Sequence, residues 1–248
     1  MLPVLEGIIA RRVLLNFRVD PGVAIALVPA PLEPAIQGGF AVAGVCLIRL
    51  ERLRPKGLPS ATGVTSENIA HRIAIRHPTP SGERDGVFIW RRDTDRALVA
   101  LLGGRLFPGV HGKARFTVEE SSDHLAYKVA TPGGRADVSL EVRSVDAWPG
   151  SPLFPQFDDV REFFQRGDCG YSCSLRGDRL EGVQLRTRTW DMSPLLVEEV
   201  DATFYSDPDR FPKGSVELDG AVLMRGIPHE WHEISDVPEM AAETGGPS

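Results

Sequence analysis

The 248-residue chain carries 28 Lys and Arg against 34 Asp and Glu, a net charge of −6, and is 42% hydrophobic. That length serves one large domain or two small ones with a substantial core, and the acidic balance argues against a nucleic-acid partner, which would select a basic face. No apolar run approaches the roughly 20 residues that span a bilayer, the N-terminus lacks a signal-peptide pattern, and three cysteines suit a reducing compartment better than a disulfide framework; a cytoplasmic protein with no membrane partner is expected.

Short β-like segments dominate. Ile8–Val19 alternates, with Val13, Leu15, Phe17 and Val19 on one face and Arg12, Leu14, Asn16 and Arg18 on the other. Asp20-Pro21 opens a short helix-like turn over Gly22–Val28. Phe40–Leu50 is apolar on both faces, as a strand covered on both sides should be. A loop rich in Pro, Gly and Ser follows from Arg54 to Ser66. Ile69–His77 alternates again, His71 sharing a face with Ile69, Ile73 and Ile75 while Ala70, Arg72, Ala74 and Arg76 share the other.

Gly86–Arg91 reads as a strand, and Asp93 or Thr94 as the N-cap of a helix reaching about Leu106 with Ala97, Leu98, Leu101 and Leu102 as its stripe. The glycine-rich stretch Gly103–Phe116 then sets His111 and Lys113 on a turn. Arg115–Val118, Leu125–Ala130 and Ala136–Arg143 form a meander, Phe157–Gln165 a helix stopped by Gly167, and Tyr171–Leu175, Leu180–Thr189, Val197–Tyr205 and Val216–Arg225 further strands. Many antiparallel-looking strands and few helices give an α+β class: a curved, mainly antiparallel sheet whose closure removes exposed edges. One domain over residues 1–234 is expected, followed by a flexible tail over 235–248 ending in Gly-Gly-Pro-Ser.

Lysine is scarce: Lys56, Lys113, Lys128 and Lys213 stand against 24 arginines. Lys113 is a candidate amine nucleophile if burial or a neighbouring cation keeps it partly neutral; otherwise it is a solvated turn residue. His71 reads as a core histidine or as an acid–base group facing a cavity, and Glu67 as a proton acceptor or a solvated carboxylate. Arg12, Asn16 and His111 are candidate substrate contacts, an arginine there gripping a carboxylate in a bidentate pair. His229-Glu230-Trp231-His232-Glu233 spaces its histidines by three rather than four and so is not the zinc-binding helix motif; it reads as a polar chain end packed by Trp231. No metal and no cofactor are expected.

Several segments resemble the DUF2071 (YqjF-like) family: Val19-Asp20-Pro21 with Leu27-Val28-Pro29 and Leu32-Glu33-Pro34, Gly86-Val87-Phe88-Ile89 running through Asp93-Thr94-Asp95-Arg96, and Ile227-Pro228-His229-Glu230-Trp231-His232. That family is grouped with acetoacetate decarboxylase-like proteins, so the resemblance implies a curved sheet closing into a cone or barrel around a cavity, with helices outside. In acetoacetate decarboxylases a Gly-Arg segment leads through a glycine turn and Phe-Pro to two adjacent lysines; the first forms a Schiff base and the second depresses its pKa. Gly104-Arg105 and Gly109-Val110 are similar to the lead-in, but His111-Gly112-Lys113 stands where Pro-Lys-Lys would, which puts Gly112 at the nucleophile and Lys113 at its neighbour.

The expected function is accordingly a cavity that binds a small organic acid such as an oxo acid. The alternatives are a Schiff-base enzyme using Lys113, with Glu67 or His71 moving protons and Arg12 holding a carboxylate, and a structural or interaction module. A homo-oligomer is compatible with any of these.

Overall fold

The computed structural model describes residues 3–80, 82–96, 109, 111–235 and 237–240. The helix expected to reach Leu106, the first part of the glycine-rich turn and the end of the tail lie outside the described residues. Among these residues fourteen strands join into one mixed sheet, and two α-helices accompany it.

Strand β1 (Leu5–Val19) lies between β4 (Phe40–Pro55) and β14 (Val216–Glu233), antiparallel to both. The order continues through β5 (Val64–Thr79), β6 (Gly82–Thr94), β11 (Cys169–Cys173) and β12 (Leu180–Thr187) back to β14, so the strands β1-β4-β5-β6-β11-β12-β14 form a closed ring. Closure leaves these strands without a long free edge, which is how a sheet avoids pairing with another chain. The contact of β6 with β11 is parallel, the only other parallel pairing described being that of β6 with β7 (His111–Lys113).

An arm departs from the same sheet. The second edge of β14 is divided: its C-terminal half holds β12 and its N-terminal half holds β13 (Ser193–Ala202). From β13 the sheet runs through β10 (Val138–Ser144) and β9 (His124–Ala130) to β8 (Arg115–Glu120). The short β2 (Glu33–Pro34) and β3 (Ile36–Gln37) pair with β5 and β4.

Several elements differ from the sequence expectation for local reasons. Helix α1 is Pro21–Ala26, set by the Asp20 carboxylate accepting from the N–H groups of Gly22 (2.8 Å) and Val23 (3.2 Å) with Pro21 at its first position. The expected loop from Arg54 to Ser66 is shorter, because Leu53 still pairs with Val64 across the β4–β5 connection. Asp93 and Thr94 close strand β6. The segment His229–Glu233 is not a chain end but the last part of β14, held between β1 and β12. Strand β13 stops at Ala202, where Thr203 turns to donate its N–H to the Asp137 carbonyl. Val237 and Met240 pack against the outer core, and residues 241–248 lie outside the described residues.

Both faces of the ring are buried, by different partners. On the outer face Val13, Leu15 and Phe17, Val45 and Leu47, and Ile69, Ile73 and Ile75 pack with Leu125, Tyr127, Leu140 and Val142 of the arm. On the inner face Ile9, Leu14, Val42, Ile48, Val222 and Met224 pack with helix α2 (Phe157–Arg166), through Val160 and Phe164, and with Phe154 before it. Each such side chain contributes about 1.5–3 kcal/mol when fully buried. Two irregularities decide which residues face inward. Around Ala10 the pleat of β1 changes parity, so that odd-numbered Leu5 and Ile9 and even-numbered Leu14 all belong to the inner cluster. In β6 a bulge at Trp90 lets Arg91 oppose His71 and Ile89 oppose Arg72.

No described helix is long and apolar enough to cross a membrane. Because Leu15 is completely buried between ring and arm, Leu15→Ala should lower unfolding free energy by about 2–5 kcal/mol; urea titration of wild type and variant measures the difference.

Candidate functional site

Inside the ring lies a cavity of about 130 Å³. Its wall is largely apolar, from Ile48, Leu50, Val87, Ile89, Leu185, Trp190 and Trp231, and its polar groups come from β1, β4, β5, β6 and β7 and from the start of β11. Strand register explains their convergence. Ala70 opposes Cys46 on one side and Arg92 on the other, while Arg72 and Arg12 flank Cys46 diagonally on β5 and β1. Small Ala70 leaves the space over which these longer side chains reach.

Of the three inward arginines, Arg12 and Arg72 have no carboxylate partner among the described residues. The Arg72 residue is 2% exposed; its Nη2 donates to the Asn16 amide oxygen at 2.9 Å, its guanidinium lies 5.0 Å from the centre of the Phe164 ring, and its Nη1 finds no partner among the described residues. Arg12 donates Nε to the Cys46 sulfur at 3.3 Å, and its Nη1 is likewise buried and unpartnered. Arg92 donates to the Ser172 hydroxyl. Burial pulls Arg72 and Arg92 down to about 10, which leaves both charged at neutral pH.

The carboxylates that touch the cavity are already engaged. Arg91 donates Nε to Asp93 Oδ2 (2.6 Å) and Nη2 to Oδ1 (3.0 Å), and Gln184 donates to Asp168 at 3.0 Å. Arg72 therefore brings to the ring interior a buried positive charge with no carboxylate beside it among the described residues. Such charge is costly without a counter-ion, and an anion entering the cavity would supply one. A wider hollow of about 980 Å³ between ring and arm is lined by Arg91, Arg92, Arg135 and Arg210; there Arg91 is paired with Asp93 and Arg210 with Asp207 at 3.7 Å.

The structure distributes the six sequence candidates over separate environments. Arg12 and His111 line the cavity, His111 standing opposite Arg92 where β7 pairs with β6. Asn16 lies beneath the cavity wall and anchors Arg72. His71 is fully buried on the other face of β5, stacked on Phe204 with ring centres 4.4 Å apart, and burial, reinforced by Arg91, lowers its pKa to about 3. Glu67 shares that opposite face and accepts from Arg11 (2.8 Å) and Arg49 (3.1 Å) in a network that includes Glu120. Lys113 is exposed on β7 and does not line the cavity. At Gly112, a side-chain carbon would overlap the Asp93 carboxylate, so the position aligned with the acetoacetate decarboxylase nucleophile has no room for a lysine while Asp93 binds Arg91.

The family model of an uncharacterized conserved protein, DUF2071, matches residues 9–216. The chain belongs to the DUF2071 family. No curated protein matches it. Among solved structures, the acetoacetate decarboxylase of Legionella pneumophila subsp. pneumophila str. Philadelphia 1 superposes with a TM-score of 0.60 at 13% identity, over 97% of this chain and 87% of that one. An acetoacetate decarboxylase-like enzyme from Sphingomonas wittichii RW1 also gives 0.60, at 16% identity over 97% and 94% of the two chains. The enduracididine biosynthesis enzyme MppR complexed with pyruvate gives 0.54, at 13% identity over 94% and 91%. This DUF2071 member thus has the acetoacetate decarboxylase-like fold that its sequence resembles, while at these identities the likeness concerns fold alone.

Sequence reading missed Arg72, Arg92 and Cys46. A signal existed for the first: Phe40–Leu50 is apolar on both faces, so its partner strand is covered on both faces too, and Arg72 between Ala70 and Ala74 must be buried. Arg92 carried none, because it faces inward by virtue of the Trp90 bulge.

Two outcomes follow from this geometry. His71 and His229, the latter pushed by burial down to about 4, stay neutral in the fold but bind protons in the unfolded chain below about pH 6.5. Their contribution is complete above that pH and is lost as pH falls toward the folded values, at about 1.4 kcal/mol per pH unit for each histidine; urea melts between pH 6 and 4 should show a shallower slope in His71→Phe than in wild type. Gly112→Ala should displace Asp93 from Arg91 and cost about 1–3 kcal/mol, read as a lowered melting temperature.

Proposed function

We propose that this protein binds a small organic acid inside the ring, with the acid's carboxylate on Arg72 and Arg12 and its carbon skeleton against the apolar wall. The observation that carries this reading is the buried, carboxylate-free guanidinium of Arg72, fixed by Asn16 and Phe164 with Nη1 left unpartnered. An acid that brings its own carboxylate converts a desolvated cation into a charge-assisted hydrogen-bonded pair. The size agrees: 130 Å³ is close to the roughly 150 Å³ cavity that admits benzene, which suits an acid of a few carbons. The MppR neighbour holds pyruvate, and the 2-oxo acids are the class carried over from it.

Binding in this reading is independent of a lysine imine. None of the four lysines lines the cavity, and Lys113 sits at the surface. Asn16 orients Arg72, Trp190 and Trp231 close the apolar side, and His111 adds a polar group beside Arg92.

Calorimetric titration with pyruvate should show binding that its neutral amide, pyruvamide, does not reproduce. Arg72→Met should raise the dissociation constant at least tenfold, about 1.4 kcal/mol. Borohydride added to the complex should leave the protein mass unchanged. Equal affinity for acid and amide would remove the carboxylate reading, and a borohydride-stable mass increment lost in Lys113→Ala would replace it with Schiff-base chemistry.

A further inference from the structure

Cys46 occupies a position that the binding reading does not use. It is 7% exposed, lies on the inward face of β4 and lines the cavity, and it is a free thiol. Arg12 donates to its sulfur, and Arg72 and Arg92 line the same cavity from the neighbouring strands β5 and β6. The other two cysteines differ. Cys169 also lines the cavity, but its thiol donates to Asp168, and burial next to that carboxylate pushes it up to about 12. Burial likewise raises Cys173. A thiol becomes nucleophilic as its thiolate, which cationic neighbours stabilise and apolar or anionic ones oppose. Of the three cysteines, Cys46 is the one whose sulfur accepts a hydrogen bond from a guanidinium, that of Arg12.

An independent feature brings an electrophile to it. Arg72 Nη1 is buried, unpartnered and belongs to the wall of the same cavity, so an acid held there by its carboxylate places its next carbons beside the sulfur. We propose that Cys46 is a nucleophile of this cavity and adds reversibly to C2 of a small 2-oxo acid whose carboxylate rests on Arg72. Sulfur forms a bond to C2, the electron pair of the C=O π bond moves to the oxygen, and the proton lost by the thiol ends on that oxygen. Nothing is oxidised or reduced, and expulsion of the sulfur reverses the step. His111 lines the same cavity and can relay the proton.

This inference rests on the carboxylate reading and goes beyond it in replacing lysine with sulfur as the nucleophile. The two are separated by treating the full chain with iodoacetate and with neutral iodoacetamide at equal pH and following each cysteine by peptide mass spectrometry. At an ordinary thiolate the anionic reagent is repelled and reacts more slowly. At Cys46 the arginines should reverse that order, with iodoacetate reacting faster than iodoacetamide and at least tenfold faster than it does at Cys173. Saturating pyruvate should slow the reaction in wild type, and Arg72→Met should abolish the reversal. Because that variant removes a buried charge and its folding is at stake, the addition is also read in wild type: pyruvate labelled with carbon-13 at C2 should give a protein-dependent tetrahedral carbon resonance that Cys46→Ser lacks. If Cys46 reacts no faster with iodoacetate than with iodoacetamide, or if no tetrahedral carbon forms while calorimetry still detects pyruvate, the nucleophile is refuted and the binding site stands. Absence of pyruvate binding altogether refutes both.

Discussion

The architecture depends on the double use of strand β14. One of its edges is taken along almost its whole length by β1, from Val19 opposite Val216 to Leu5 opposite Trp231. Its other edge is shared, β12 closing the ring and β13 starting the arm. A strand with two successive partners on one side joins two curved surfaces through continuous backbone hydrogen bonding. Both surfaces then need side chains between them, which is why β1, β4 and β5 are buried on both faces and why their outer residues meet Tyr127 and Leu140 of the arm. The ring interior is left with inward residues of its own strands and the cover of α2.

Burial on both faces changes what a polar residue in these strands means. In a half-solvated sheet, Arg72 would extend into water. Here it is enclosed, and its guanidinium is supported from below by Asn16 and from above by Phe164. On the opposite face the same logic gives a different result: Arg11 is buried too, but it is satisfied by Glu67, Tyr127 and Glu120. The contrast is between an arginine whose donors are met by protein groups outside the ring and Arg12 and Arg72 inside it, each with a buried Nη1 that has no partner among the described residues. It also separates Glu67 from the cavity, since a carboxylate committed to Arg11 and Arg49 on the outer face faces away from anything bound within.

Much of this was legible in the sequence. Alternation in Ile8–Val19 and Ile69–His77 separated the two faces of those strands, and the family resemblance anticipated the closed sheet. The site was legible only in part. Arg12 was recognisable from its place in an alternating strand, but which of two buried faces lines a cavity is a property of curvature, and no single strand encodes that. His71 shared its face with isoleucines, and that face proved to be the one covered by Phe204 and the arm. Irregularities such as the Trp90 bulge are set by pairing with neighbouring strands, so alternation puts Arg91 and Arg92 on opposite faces but only the fold decides which of them faces inward. The extension of β14 through His229–Glu233 was hidden for a similar reason: its polar residues read as chain end, although both neighbouring edges require a strand there.

The placement of the tryptophans has a practical consequence. Of the four in the chain, Trp190 and Trp231 form part of the cavity wall, and the indole N–H of Trp231 is buried without an acceptor among the described residues. Trp90 lies on the opposite side of the sheet with its N–H on the Leu27 carbonyl, and Trp148 donates to the Phe154 carbonyl. Indole emission responds to local polarity and to nearby acceptors, so the protein carries its own optical probe of the interior. Selective replacement of one tryptophan at a time would give separate fluorescence channels for the ring interior and for contact between ring and arm.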